Sequence, residues 1–266
     1  MSKHAQELKG IKKLHSSSSP GACLHRHGNS KVRKNDFCSY RWQGFLNGEA
    51  NPTFYDHPAY SSLVGGPPIP TEKKGTFPSW YKKKLTAPKA QEWDITITAG
   101  ITKAKNFRDK CYQPYWHEAH HIVPDDVLRQ AIEDAANGTQ KPAEVRKTIR
   151  AGLLEEKYNM NDKLNMFLLP MDTKISIAIG LPKHRITPAT RHHNTYSDKV
   201  LSELKTRAFA DVKKSIAMHQ DPDYEACKTE IENLSKDMHT QIRAAGMIDK
   251  AASLDQMQDS RFQAPT

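Results

Sequence analysis

From residue 91 onward, apolar side chains recur at intervals that predict the elements. Asp94-Ile95-Thr96-Ile97-Thr98 alternates with period two through β-branched residues, the pattern of a strand with one buried face. Leu128, Ile132 and Ala135 share one side of a helix ending near Asn137-Gly138. Val145, Ile149 and Leu153 share one side of a second helix, opening after Pro142, whose fixed φ suits a first helical turn. Met166-Phe-Leu-Leu169-Pro170 is short, apolar and closed by proline, and predicts a buried strand. Tyr196, Val200, Leu204, Ala208 and Val212 predict one long helix; Cys227, Ile231, Leu234, Met238 and Ile242 predict another, with Pro222 at its start. These stripes are core packing and carry no chemistry. Beyond Gly246 the chain is polar through Thr266 and predicts a frayed tail.

Residues 1–90 read differently. Eight of the 16 prolines fall there, with Ser16-Ser-Ser-Ser19-Pro20-Gly21 and Gly65-Gly-Pro-Pro68-Ile-Pro70, and neither helical nor strand periodicity stands out. Tyr40, Trp42, Phe45, Phe54, Tyr55, Tyr60, Phe77, Trp80 and Tyr81 argue against full disorder, because disordered segments are poor in aromatics. A loop-rich, partly ordered module is expected. Lys82-Lys-Lys84 beside Trp80 and Tyr81 mixes cations with aromatics, as single-strand and phosphate-binding surfaces do, although a solvated charge run explains it as well.

Charge follows the same division. The chain of 266 residues carries a formal +10, and residues 1–90 hold 15 basic against 5 acidic side chains while the remainder holds 25 of each. Such an excess favours an anionic partner, nucleic acid or a membrane surface. No run approaches the ~18 apolar residues that span a bilayer, and the first ten residues lack the apolar stretch of a signal peptide. The expectation is a cytoplasmic protein in the producing cell with no membrane partner, or one exported by a specialised secretion machine. Cys23, Cys38, Cys111 and Cys227 form no C-x-x-C pair, so neither a disulfide scaffold nor a four-cysteine zinc site is indicated. Cys23-Leu-His25-Arg-His27 with Cys38 has zinc-type ligands at an unfamiliar spacing.

Histidine changes the picture. Of the 13, His117, His120 and His121 form one cluster and His184, His192 and His193 another. Imidazole is the commonest transition-metal ligand and also suits proton transfer near neutral pH. Around the clusters run Glu118-Ala119-His120-His121-Ile122-Val123-Pro124, Asn161-Asp162-Lys-Leu-Asn165, Gly180-Leu-Pro-Lys-His184-Arg185 and His192-His193-Asn-Thr-Tyr196. This ordered series, over residues 115 to 205, resembles the AHH group of HNH endonucleases, found largely as toxin domains in bacterial competition systems.

The resemblance implies a ββα-metal fold and hydrolysis of DNA phosphodiester bonds with a divalent ion, Mg, Mn or Zn. It implies His120 as metal ligand and His121 as general base. Neighbouring residues on a strand point to opposite sides, so a ligand and a base need not compete for one space. Asn165 would hold the loop and orient the base, and His184 and His193 would complete the ligand set. Relatives keep the two downstream histidines close together, whereas here Ile186 to Arg191 intervene. His192 therefore remains an alternative to His193, and His184 an alternative phosphate contact. Glu118 is either an acceptor for a histidine N–H or a solvated strand-end carboxylate. Lys183, Arg185 and Arg191 are candidate phosphate contacts. His57-Pro-Ala-Tyr60 repeats the His-x-x-Tyr spacing without the family's neighbours and reads as coincidence.

The fold expected is α+β: a ββα-metal (HNH) nuclease core within a mostly helical domain at residues 91–220, preceded by a basic Pro/Gly-rich module at 1–90 and followed by a helix and polar tail at 221–266. The function expected is a largely non-sequence-specific DNA endonuclease, an antibacterial toxin whose partners are DNA and a cognate acidic immunity protein. The other readings are a non-catalytic nucleic-acid-binding protein with a structural metal, and an RNA-directed nuclease.

Overall fold

Ser39 opens the first helix among the described residues: its hydroxyl accepts from the Trp42 N–H at 3.4 Å, satisfying one of the donors a helix start leaves unpaired. In the structure, a computed structural model describing residues 21–26, 36–51, 117–171, 173–185, 193–249 and 252–256, that helix is α1, Tyr40–Ala50. After it come β1 (His117–His121), α2 (Asp125–Ala136), α3 (Pro142–Glu155), β2 (Met166–Pro170), α4 (Thr173–Ile179), α5 (Asn194–Glu203), α6 (Ala210–Ala217) and α7 (Tyr224–Ile248). The expected strand at 94–98 and the Lys82–Lys84 run lie outside the described residues. The architecture is α+β and mostly helical, with one small antiparallel sheet among the described residues.

β1 and β2 pair with His120 opposite Phe167 and His121 opposite Met166. They are not a tight hairpin: α2 and α3 lie between them in the chain. β2 is buried at every position, as its unbroken apolar run requires. α1 lies across the sheet, and a Cβ at Gly44 would come within 3.1 Å of Leu168 Cδ2 and 3.5 Å of Ala119 Cβ, so glycine permits the close approach. Ala22, Leu24, Tyr40 and Trp42, all from the segment expected as a separate module, belong to the same buried cluster as the sheet and α7.

The helix expected over Tyr196–Val212 is interrupted. Its buried stripe repeats every fourth residue, whereas an α-helix turns every 3.6, so the stripe would drift by about 160° over four steps. A π-helical turn at Leu204–Ala208, wider than an α turn, takes up part of that drift, and all five stripe residues stay buried. In α7 the buried positions Cys227, Ile231, Leu234, Met238, Ile242 and Ala245 average one per 3.6 residues, and the helix runs unbroken. The expected frayed tail is also corrected in part: Ala252, Ser253 and Leu254 are buried, paired in parallel with Lys183. No described helix is long and apolar enough to cross a membrane.

Candidate metal centre

Strand alternation divides the histidines of β1. Glu118 and His120 fall on one face, Ala119 and His121 on the other, where the ring of Tyr40 in α1 stands 5.5 Å from that of His121. His184 arrives after α4 stops at Gly180, whose φ of +68 allows the turn, and its N–H donates to Pro170 O at the end of β2, 2.8 Å away. His193 immediately precedes α5. One turn on, Tyr196 is fully buried, donates its hydroxyl to Ile122 O at 2.6 Å and sets its ring edge-on to His120 at 5.0 Å. α5 is thereby bolted to the end of β1, and three imidazoles meet.

His184 Nε2 lies 3.2 Å from His120 Nδ1 and 3.2 Å from His193 Nε2. The outer nitrogens of two of these rings are committed: His184 donates from Nδ1 to Glu118 at 2.9 Å, and His193 donates from Nδ1 to Asp255 at 2.6 Å. Their Nε2 atoms therefore carry lone pairs, and two lone pairs facing each other at 3.2 Å repel unless a cation lies between them. His184 does not supply a proton near neutral pH. Burial, aided by the neighbouring His193 and Arg185, pushes His184 down to about 4 against the opposing pull of Glu118. Burial holds His120 well below its ordinary value, with His184 and His193 adding to the effect. A metal ion suits the two 3.2 Å separations, since with metal–nitrogen bonds of about 2.1 Å adjacent ligand nitrogens lie about 3.0 Å apart in octahedral and 3.4 Å in tetrahedral geometry, and all three ligand atoms lie within 4.8 Å of one another. Among the described residues this is the group of three or more His, Cys, Asp or Glu side chains placed to hold a metal.

Each outer carboxylate fixes a tautomer, as acceptors behind metal-binding histidines do. For Glu118 burial opposes ionisation, but the His184 N–H and the guanidinium groups of Arg185 and Arg41 outweigh it and bring its pKa to about 2. Of its two expected readings, acceptor for a histidine is the one found, and Arg185 closes on the same oxygen at 2.9 Å.

His121 stands apart from the three. Its Nε2 lies 3.0 Å from Asn161 Oδ1, and the orientation of that amide is set by Asn161 Nδ2, which donates to His25 O at 2.9 Å and toward Cys23 Sγ at 3.5 Å. An oxygen facing Nε2 makes it the protonated nitrogen, leaving Nδ1 basic. Burial, with Arg26 nearby and against the Asn161 hydrogen bond, lowers His121 to about 4, so it is neutral at pH 7.

Asn165 holds the loop, as expected, but makes no hydrogen bond to His121, which it was expected to orient. Its Oδ1 accepts from Val123 N–H at 2.7 Å and from the Ser235 hydroxyl at 3.1 Å, and its Nδ2 donates to Val123 O and Met160 O. These bonds tie β1, the approach to β2 and α7 together. The residue that touches His121 is Asn161, four positions earlier in the same motif; two asparagines of one type gave the sequence no means of telling the orienter from the tether.

The site opens into a cleft of about 270 Å³ lined by His120, His121, His184 and His193 together with Arg26, Arg129 and Arg185. Arg26 stands over Tyr40, 5.2 Å from the ring centre. Lys183, expected to contact phosphate, is instead buried beneath residues 252–254. His192 and Arg191 lie outside the described residues. Two functional candidates escaped the sequence: Asp255, in a segment without periodicity, and Arg26, between the two histidines of a suspected zinc motif. His27 of that motif lies outside the described residues, and Cys23, His25 and Cys38 do not form a metal-holding group among those that are described. His25 Nε2 faces Arg150 at 3.0 Å, and the Cys38 thiol, hydrogen-bonded to Cys23 and buried, is pushed far above its ordinary pKa. No family model, curated protein or solved structure matches this chain.

Proposed function

We propose that this chain is a metal-dependent endonuclease of the AHH group that hydrolyses DNA phosphodiester bonds with little sequence preference, with β1, β2 and α5 as its ββα-metal core. One observation carries the reading: three convergent imidazoles open onto a cleft, and a fourth, His121, sits at the next strand position, neutral and held in one tautomer. Structural metal sites close with four protein ligands, whereas catalytic ones keep a position open. Three imidazoles also suit zinc or a similar transition ion better than magnesium, which prefers oxygen.

His120 through Nδ1, and His184 and His193 through Nε2, would hold the ion, which when bound supplies Lewis-acid stabilisation of charge developing on the phosphoryl oxygens. His121 takes the proton of the attacking water at Nδ1, and Asn161 accepts from Nε2–H throughout, keeping the ring oriented as it charges. Arg26, Arg129 and Arg185 share the cleft lining with Asp125 and Asp126, Arg129 pairing with Asp125 and Arg185 with Glu118, and these guanidinium groups would meet phosphates, contacts that confer affinity without reading sequence. The family resemblance extends the proposal to an antibacterial effector, neutralised by an acidic immunity protein drawn to the same cations.

Plasmid cleavage tests this. Purified protein is expected to nick supercoiled DNA with Zn²⁺, Mn²⁺ or Mg²⁺ and to stop with chelator, while His121→Ala abolishes cutting and retains the metal. Cutting by His121→Ala at the parental rate would refute the base. Unfolding on chelation with no cleavage under any ion would make the metal structural, and preferential cutting of matched RNA would change the substrate.

A further inference from the structure

The metal centre takes its outermost partner from residues 252–256, close to the end of the described chain. We infer that this segment is a strap that assembles the centre, with Asp255 as a positioning residue for His193; the inference rests on the three-histidine reading above. Two grips define the strap. Its backbone clasps Lys183 from both sides, Lys183 N–H donating to Ala252 O at 2.9 Å and Leu254 N–H donating to Lys183 O at 3.0 Å. The next residue is His184. The second grip is the strap's Asp255, whose carboxylate accepts from His193 Nδ1 at 2.6 Å with only 7% of the side chain exposed. The strap thus holds the backbone beside one ligand and the ring of another.

The strap is anchored by its own packing. Leu254 is fully buried in the main cluster, and the hydroxyl and N–H of Ser253 both donate to Gln256 Oε1, at 3.1 and 3.2 Å. The short turn Leu254–Gln256 lies against α5, the helix that His193 precedes. The carboxylate selects the His193 tautomer whose Nε2 can bind metal and makes that nitrogen more electron-rich. Coupling is reciprocal: a strap that favours the metal-binding geometry must itself be held more firmly when metal is bound.

The test uses the full-length chain and Co²⁺, whose visible absorption reports coordination, in competition with a chelating dye. Asp255→Ala is expected to weaken Co²⁺ binding 10- to 100-fold and to alter the absorption band, and Asp255→Asn, which keeps an acceptor oxygen, to weaken it less. Hydrogen exchange on the parent provides a readout independent of any variant's folding: Co²⁺ should slow exchange at the Leu254 and Lys183 N–H groups. Parental affinity in Asp255→Ala, or exchange at those two groups that ignores the metal, overturns the strap while leaving the nuclease reading intact. A parent that binds no Co²⁺ overturns both.

Discussion

Asn161→Ala separates orientation of His121, the proposed base, from the integrity of the fold. Asn161 is fully buried, and its amide makes three side-chain contacts, to His121, His25 O and Cys23 Sγ. Truncation leaves the His121 N–H without its partner, whereas the His25 carbonyl keeps the Cys23 thiol at 3.4 Å, so at about 1–3 kcal/mol for one buried orphan the loss of stability is about 1–3 kcal/mol. Its own backbone N–H still reaches Asn159 Oδ1, so the loop persists. The kinetic effect is larger than that loss implies. Without the acceptor the imidazole is free to place its proton on Nδ1, where it cannot act as base, and a tautomer error of this kind costs up to about 10⁴ in kcat in the best-studied triad. We expect about a hundredfold fall in the rate of plasmid nicking at saturating metal, with Co²⁺ affinity within twofold of the parent. Asn161→Asp adds a second arm. Its carboxylate still accepts from Nε2–H but favours the charged ring, so the acid limb of the pH–rate profile should move to higher pH. An Asn161→Ala protein that nicks at the parental rate, or an Asn161→Asp protein with an unmoved acid limb, would refute the assignment.

Three further outcomes follow from the geometry. Asn165→Ala removes four buried hydrogen bonds joining β1, the approach to β2 and α7, and should lower the urea-derived stability by about 3–5 kcal/mol, the largest loss of any single polar residue at the site. Metal-free protein should lose stability as pH falls: His121, His184 and His239 ionise near 4 when folded, each lowered first by burial, against an ordinary 6.5. Above 6.5 both states are neutral and stability is complete; between 6.5 and about 4 the unfolded chain takes up protons the folded one refuses, at about 1.4 kcal/mol per pH unit for each histidine, so denaturation midpoints flat across that window would contradict the burial. Gly44→Val places a branched side chain against Leu168 and Ala119 and should destabilise by about 1–3 kcal/mol in thermal melts, whereas Gly44→Ala should cost less.

Much of the fold was legible because one-dimensional spacing maps onto helical and strand faces without knowledge of the partner. The stripe of α7, the α2 and α3 faces and the apolar run of β2 all needed only a buried side to pack against, and each was found where spacing put it. Even the π-helical turn has a signal, the strict four-residue repeat from Tyr196 to Val212, although reading it requires a reason to keep the stripe straight. α1 left little trace: its sequence has almost no amphipathic order, because glycine rather than an apolar stripe lets it lie on the sheet.

By itself the sequence determined which residue types were available for chemistry: the paired histidines of one strand, the downstream histidines and the two asparagines. A strand's alternation was enough to send His120 and His121 to opposite sides. Only tertiary structure decided which asparagine faces His121, that Glu118 and Asp255 stand behind two of the imidazoles, and that Lys183 is buried rather than offered to phosphate. The reason is physical. Secondary structure reflects local backbone and burial preferences that recur every two or 3.6 residues, whereas a hydrogen bond between residues 62 or 66 positions apart leaves no period in the chain.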